Sequence, residues 1–462
     1  MSSVVDVSEK NVDNKIVINN LKEYDIQVYK RRWYILALFI WYSAINGLQW
    51  VEYSSITNIV VKYYNVSTIT VDWTSIIYMA LYPIFVIPAS YVINKKGLRA
   101  AGLLGCLGTA FGTCIKIFSV QKDLFWLVLL GQAIVSASQI VILCLPPKIA
   151  AIWFKPNEAS KANALGVFGT QLGTSIGYLL PPAIVGNHDN IDDIGSDLKV
   201  LCWILAGSSI PVSIAVIAYF PNFPKKPPSI SQAKEREIDR EFETKKFFIS
   251  IKDLFLNKAF VIHVVAFSIN IGVFSGIGTL LAQFILFYFE GAQGDAGAMG
   301  FGMILTGMVG SIAFGIFLDK TRKFKESAIA IYFLSALGVV GFMYSLEYKS
   351  KLWSYISCGV MGVASSSYWS VGIELAMELT FPSEESTTAG ILVAVTQVLG
   401  VIFATGLGYL NIYIGPFWSL GSQSVLLFIG TIITMFIPND LRRQAVFAEN
   451  QKQMFTPVPI GD

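Results

Sequence analysis

Apolar residues fall in runs of about 20 or more, divided by short polar turns, and a helix of that length crosses a hydrocarbon core of roughly 30 Å. Twelve segments qualify: 34–62, 73–94, 98–118, 124–152, 159–185, 199–220, 258–289, 296–318, 326–347, 352–377, 385–415 and 418–438. The pattern predicts an all-α polytopic membrane protein. One hydrophilic insert, "PNFPKKPPSISQAKEREIDREFETKK", separates spans six and seven. The expected organisation is therefore a tail at 1–32, a six-helix bundle at 33–220, a linker at 221–257, a second bundle at 258–438 and a tail at 439–462. Residues 233–246 alternate acidic and basic side chains at helical spacing, which predicts a surface helix.

Composition agrees: 54% of the residues are hydrophobic and 14% charged, against roughly 25% charged in soluble domains. The first 31 residues lack the short apolar core of a cleavable signal peptide, so the first span is expected to direct insertion. Basic residues gather on one side of the predicted bundle. Lys30, Arg31 and Arg32, then Lys95, Lys96 and Arg99, then Lys320, Arg322, Lys323 and Lys325 all flank turns on the side of the termini. By the positive-inside rule both termini are expected in the cytoplasm. The sequon Asn65-Val66-Ser67 then faces outward, making Asn65 a candidate glycosylation site.

The halves repeat. "NKKGLRAAG" from Asn94 corresponds to "DKTRKFKES" from Asp319, and "WFKPNEASKANALGVFGTQLG" to "TFPSEESTTAGILVAVTQVLG", which sets Glu158 on Glu385 and Gly173 on Gly400. Duplicated six-helix bundles place a site at the midplane between them. Asn94, Gly97, Arg99, Asp319, Arg322 and Glu385 are expected to latch neighbouring helix ends and bias a two-state rocking equilibrium.

At 100° per residue, Tyr42, Asn46, Gln49, Trp50 and Tyr53 share an arc of roughly 100° on the first helix. Amides facing lipid would cost several kcal/mol, so this face looks into the protein, either lining a wet cavity or bonding to other helices. Gln171 on the fifth span and Gln397 on the eleventh occupy repeat-related places, with Tyr78, Tyr82, Tyr368 and Trp369 contributing aromatic faces. Aromatic faces combined with neutral amides suit an organic cation, particularly a quaternary ammonium. Glu52, Lys116, Glu374 and Glu378 are the charges noted within spans, and none joins an evident proton relay.

No phosphate-binding loop, HExxH motif or Ser-His-Asp constellation is present, so an enzyme is not expected, nor is a cofactor or nucleic-acid partner. The five cysteines lack CxxC spacing, and His188 and His263 stand apart, so no metal site is expected.

The stretches "YKRRWYILALFIWYSAINGLQWVEYSSITNIV", "DWTSIIYMALYPIFVIPAS", "QLGTSIGYLLPPAIV", "NKAFVI", "GMVGSIAFGIFLDKTRKFK" and "ELTFPSEESTTAGILVAVTQVLG" resemble the feline leukaemia virus subgroup C receptor (FLVCR) family of the major facilitator superfamily. The resemblance covers nearly all of the membrane region. It implies a transporter of choline or ethanolamine, with haem proposed as another substrate in the family. It also implies a cation site in which Trp50 covers the ammonium group, with Asn46, Gln49, Gln171 and Gln397 at matching polar positions. The family's seventh helix has a tyrosine where this chain has Ser275 beside Phe274, and an asparagine where it has Ala282. Phe274, Tyr82 or Tyr368 could complete the cage, or the substrate differs.

The leading expectation is a monomeric, facilitative plasma-membrane uniporter of a small organic cation, embedded in the bilayer. Haem transport and a non-transporting receptor or scaffold are the alternatives.

Overall fold

A computed structural model describes residues 26–229, 232–233, 252–321, 323–381 and 385–438, excluding the side chains of Asn94, Asp319, Glu385 and Ser386. Most of the expected surface helix at 233–246, the C-terminal tail and Arg322 lie outside the described residues. The latching expected of Asn94, Asp319, Arg322 and Glu385 therefore rests on the sequence.

Among the described residues every regular element of both halves is helical. The first span is α1 (Arg31–Val51), a 3-10 turn (Ser54–Ile56) and α2 (Thr57–Tyr64), so the expected continuous helix is broken just after Trp50. The second is α3 (Thr68–Tyr91), started by Ser67, whose hydroxyl accepts the Thr70 amide at 3.2 Å. Then come α4 (Gly97–Phe118), α5 (Phe125–Leu143), α6 (Leu145–Trp153), α7 (Pro156–Ile184) and α8 (Ile191–Tyr219). The α5–α6 break falls at Cys144, where Pro146 and Pro147 remove two amide donors.

The second half contains α9 (Lys258–Tyr288), α10 (Gln293–Thr321), α11 (Phe324–Glu347), α12 (Lys351–Thr380) and α13 (Glu385–Met435). Asn257 caps α9 by accepting the amides of Ala259 and Phe260. Gly415, with φ +81°, and Pro416 interrupt α13 between the eleventh and twelfth predicted spans. At 1.5 Å per residue its 51 residues extend for about 76 Å, enough for two crossings.

Among the described residues nine helices are long and apolar enough to cross a membrane. With α7 and α12, which are as long but more polar, and with α13 divided at Gly415, the architecture accommodates the twelve expected crossings. One apolar core fills the second half and two fill the first. Val51 and Tyr178 of the first half join the second half's core near the Asn65 turn, while Val393 of α13 joins Tyr82 nearer the termini.

Candidate substrate site between the two halves

Close backbone packing fixes α1. Along α7, Gly169, Gly173 and Gly177 face Ile40, Ala44 and Leu48 so tightly that an added Cβ would strike α1 backbone atoms. Thr174 Oγ1 also donates to Gly47 O at 3.2 Å. Small residues at this spacing let two membrane helices meet backbone to backbone. The rotation of α1, and hence the direction of each side chain on it, follows from this seam.

That rotation separates the predicted polar face into two groups. Asn46 is fully buried and donates to Thr109 Oγ1 at 2.9 Å and Val135 O at 3.0 Å. Gln49 accepts from Thr113 Oγ1 at 3.1 Å, and its backbone carbonyl accepts from Gln132 Nε2 at 2.9 Å. Tyr78 completes the chain by donating to Gln132 Oε1 at 3.1 Å. In this conformation the two amides bond helices α1, α4 and α5 together inside the first half. Of the two roles left open by the sequence, the structure shows the interhelical one. Tyr42 and Tyr53 are buried with them.

Trp50 behaves differently. It is half-buried and borders the apolar core that joins Val51 and Tyr178 to the second half, while its carbonyl accepts from Ser75 Oγ at 2.7 Å. Phe274 and Ser275 are half-buried on α9, Gln397 is half-buried on α13 and Gln171 is exposed on α7. These five retain accessible surface from both repeats. Tyr82 is buried in the first half's core, and Tyr368 is wholly buried against Phe267 and Tyr332, at ring separations of 5.8 and 5.0 Å. As placed, Tyr82 and Tyr368 support the walls, whereas Phe274 is only partly buried.

The expected latch residues that are described stitch the first half together near the termini. Gly97 adopts φ +84° against the Asn222 side chain, whose Oδ1 accepts the Arg99 amide at 3.2 Å. Arg99 Nη2 reaches Ile217 O at 3.2 Å, and Arg32 pairs with Glu158 at 3.1 Å.

A cross-half connection at the opposite end was absent from the sequence reading. Asp72 on α3 is buried and accepts from Gln283 Nε2 on α9 at 2.6 Å; Gln283 Oε1 accepts from Asn411 on α13 at 3.4 Å. Nearby, Tyr178 donates to Gly278 O at 2.9 Å, and its ring fills the space above Gly300. The halves are joined here, on the side of the Asn65 turn. Asn65 itself is exposed, with φ +53°.

Glu52 and Lys116 form a fully buried ion pair between the end of α1 and α4. His263 is buried and its Nε2 lies 2.8 Å from Gly372 O, the setting of a packed core histidine. Among the described residues no group of three or more His, Cys, Asp or Glu is arranged to hold a metal, and the five cysteines are unpaired thiols.

Two repeated helical halves that meet on polar and aromatic side chains at membrane depth define a transporter of the alternating-access class. The chain belongs to the Major Facilitator Superfamily, whose family model matches residues 34–405, and within it to the FLVCR family. It is 37% identical over 420 residues to choline/ethanolamine transporter flvcr2b of Danio rerio, covering 91% of this chain and 86% of that protein. Human choline/ethanolamine transporter FLVCR2 is 34% identical, with 91% and 79% covered. An uncharacterized MFS-type transporter of Caenorhabditis elegans, C09D4.1, is 39% identical, with 93% and 73% covered. The fold also matches an inward-facing, unoccupied bacterial homologue of the lysosomal transporter Spinster, with a TM-score of 0.68 and 13% identity, over 90% of this chain and 99% of that one.

Proposed function

We propose that this protein carries choline, ethanolamine or both across a membrane by alternating access, with Trp50 as the principal contact for the cationic head. The supporting observation is the placement of Trp50: its helix is locked to α7 of the first half, and Trp50 borders the apolar core in which Val51 and Tyr178 of the first half meet the second half. A cation on that indole would lie where the two rocking bodies meet. Gln171, Gln397, Phe274 and Ser275 supply neutral polar and aromatic surface from the two repeats, which suits an ammonium group that aromatic faces attract and hydrogen-bond donors do not.

The transport is facilitative uniport, driven by the substrate gradient and membrane potential. The basic residues flanking the turns support cytoplasmic termini, an orientation in which the Asn65 sequon faces outward as a candidate glycan acceptor; the proposed protein is a monomer of the plasma membrane. Purified protein in liposomes should accumulate labelled choline under an inside-negative potential alone. A strict requirement for a proton gradient would overturn uniport, and absence of choline and ethanolamine flux from correctly folded protein would overturn the substrate assignment.

A further inference from the structure

Helices α10 and α11 both pack on α12 but barely touch one another among the described residues. The strip of α12 between them is consequently recessed, forming a groove of about 480 Å³. Ile356, Gly359 and Val363 line its floor, with Thr306 and Leu334 on the walls and Tyr355 towards one end. Gly359 leaves the floor deep, since a Cβ there would meet only Thr306, no closer than 3.7 Å. The Thr306 hydroxyl bonds backbone carbonyls, including Gly359 O at 3.1 Å, so it adds little polarity to the wall.

The groove lies on the outer face of the second half, where Leu337, Leu352 and Ile356 are exposed at membrane depth. From Lys351 to Val363 the helix rises about 18 Å. One leaflet contributes about 15 Å of hydrocarbon. At the turn end, the groove meets a polar ledge: Tyr355 donates to Asp295 Oδ1 at 3.0 Å, and Lys351 pairs with Asp295 Oδ2. The two charged side chains remain 53% and 30% exposed, leaving one cation and one anion facing the headgroup region. We propose that this groove is a binding site for one acyl chain of a zwitterionic glycerophospholipid from the leaflet containing the α11–α12 turn. Its phosphate lies against Lys351 and its ammonium against Asp295. The Lys351 ammonium has three donors, so pairing with Asp295 leaves capacity for phosphate.

The test reconstitutes full-length protein into palmitoyl-oleoyl phosphatidylcholine vesicles, extracts it in mild detergent and counts retained lipids by native mass spectrometry. Wild type should retain one phospholipid that Gly359→Leu loses, while Ile432→Leu, on another lipid-facing surface, retains it. Lys351→Ala should lower lipid affinity by up to about fivefold, the scale of one solvent-exposed ion pair. Elution volume and choline uptake monitor folding; if Gly359→Leu is misfolded, Val363→Phe provides the same occlusion. No retained lipid in wild type, or equal retention after either folded occluding substitution, would overturn the site. Equal retention of phosphatidylglycerol would overturn its zwitterionic selectivity. The lipid count is independent of which solute is transported.

Discussion

Asp72 and Gln283 lie 211 positions apart and meet at 2.6 Å across the two halves. The contact joins α3 to α9 near the end marked by the Asn65 turn, and Asn411 extends it to α13. Hydrogen bonds to charged groups contribute about 1.5–3 kcal/mol. Removing the amide by Gln283→Ala should therefore shift the two-state equilibrium towards opening on this side by roughly ten- to a hundredfold. Spin labels at Thr68 and Gly294, in a background lacking the native cysteines, would report a longer distance population. An unchanged distribution would show that Asp72–Gln283 does not hold the closed state.

Glu52 and Lys116 give a prediction about stability. Both side chains are fully buried, so deleting one leaves the other charge without compensation. Glu52→Ala should cost about 3–5 kcal/mol, while the double substitution Glu52→Gln with Lys116→Met should recover most of it. Thermal unfolding of the wild type and the two variants in one detergent provides the comparison. A double variant no more stable than Glu52→Ala would mean that the pair also has a positional role neutral groups cannot supply.

The length of the apolar runs made the membrane fold legible, because bilayer thickness leaves little freedom in helix length. The repeat between Gly173 and Gly400 likewise exposed the duplicated halves. Side-chain partners were less legible. Helical rotation correctly grouped Asn46 and Gln49, but their partners Thr109, Thr113 and Val135 depend on which helices lie opposite. Glu52 and Lys116 were each visible as charges, while their pairing required α1 and α4 to be adjacent. Asp72 was missed for a simpler reason: the second span was expected to start at 73, whereas Ser67 caps a helix beginning at Thr68 and carries Asp72 into the interior.

The α1–α7 seam should be intolerant of added volume. A Cβ at Gly173 would collide with the Ala44 backbone, which cannot swing aside as a flexible side chain could. Gly173→Leu should cost about 3 kcal/mol or more, the upper end of typical overpacking, and reduce transport by displacing Trp50. Gly390→Leu is the matched control, since nothing lies within 4 Å of its added Cβ. Thermal stability and choline uptake should both fall in the first variant and be retained in the second; equal behaviour would remove the seam as the device that positions α1.

Trp50 and Ser275 together test the cation site. A desolvated cation-π contact contributes about 2 kcal/mol, so Trp50→Ala should weaken choline binding by roughly thirtyfold, with Trp50→Phe retaining part of the affinity. Packing complicates the first result, because Trp50 borders the second half's core and its removal also leaves a cavity. Ser275→Tyr separates the two effects by adding an aromatic face without removing that contact. Ser275 is half-buried on α9, next to Phe274, and the added ring should tighten choline more than ethanolamine because the quaternary head relies on aromatic surface. Binding to purified variants, matched for thermal stability, measures both changes. Unchanged choline affinity in folded Trp50→Ala would remove the indole from the site; weaker choline binding in folded Ser275→Tyr would show that the small residue leaves space for the substrate.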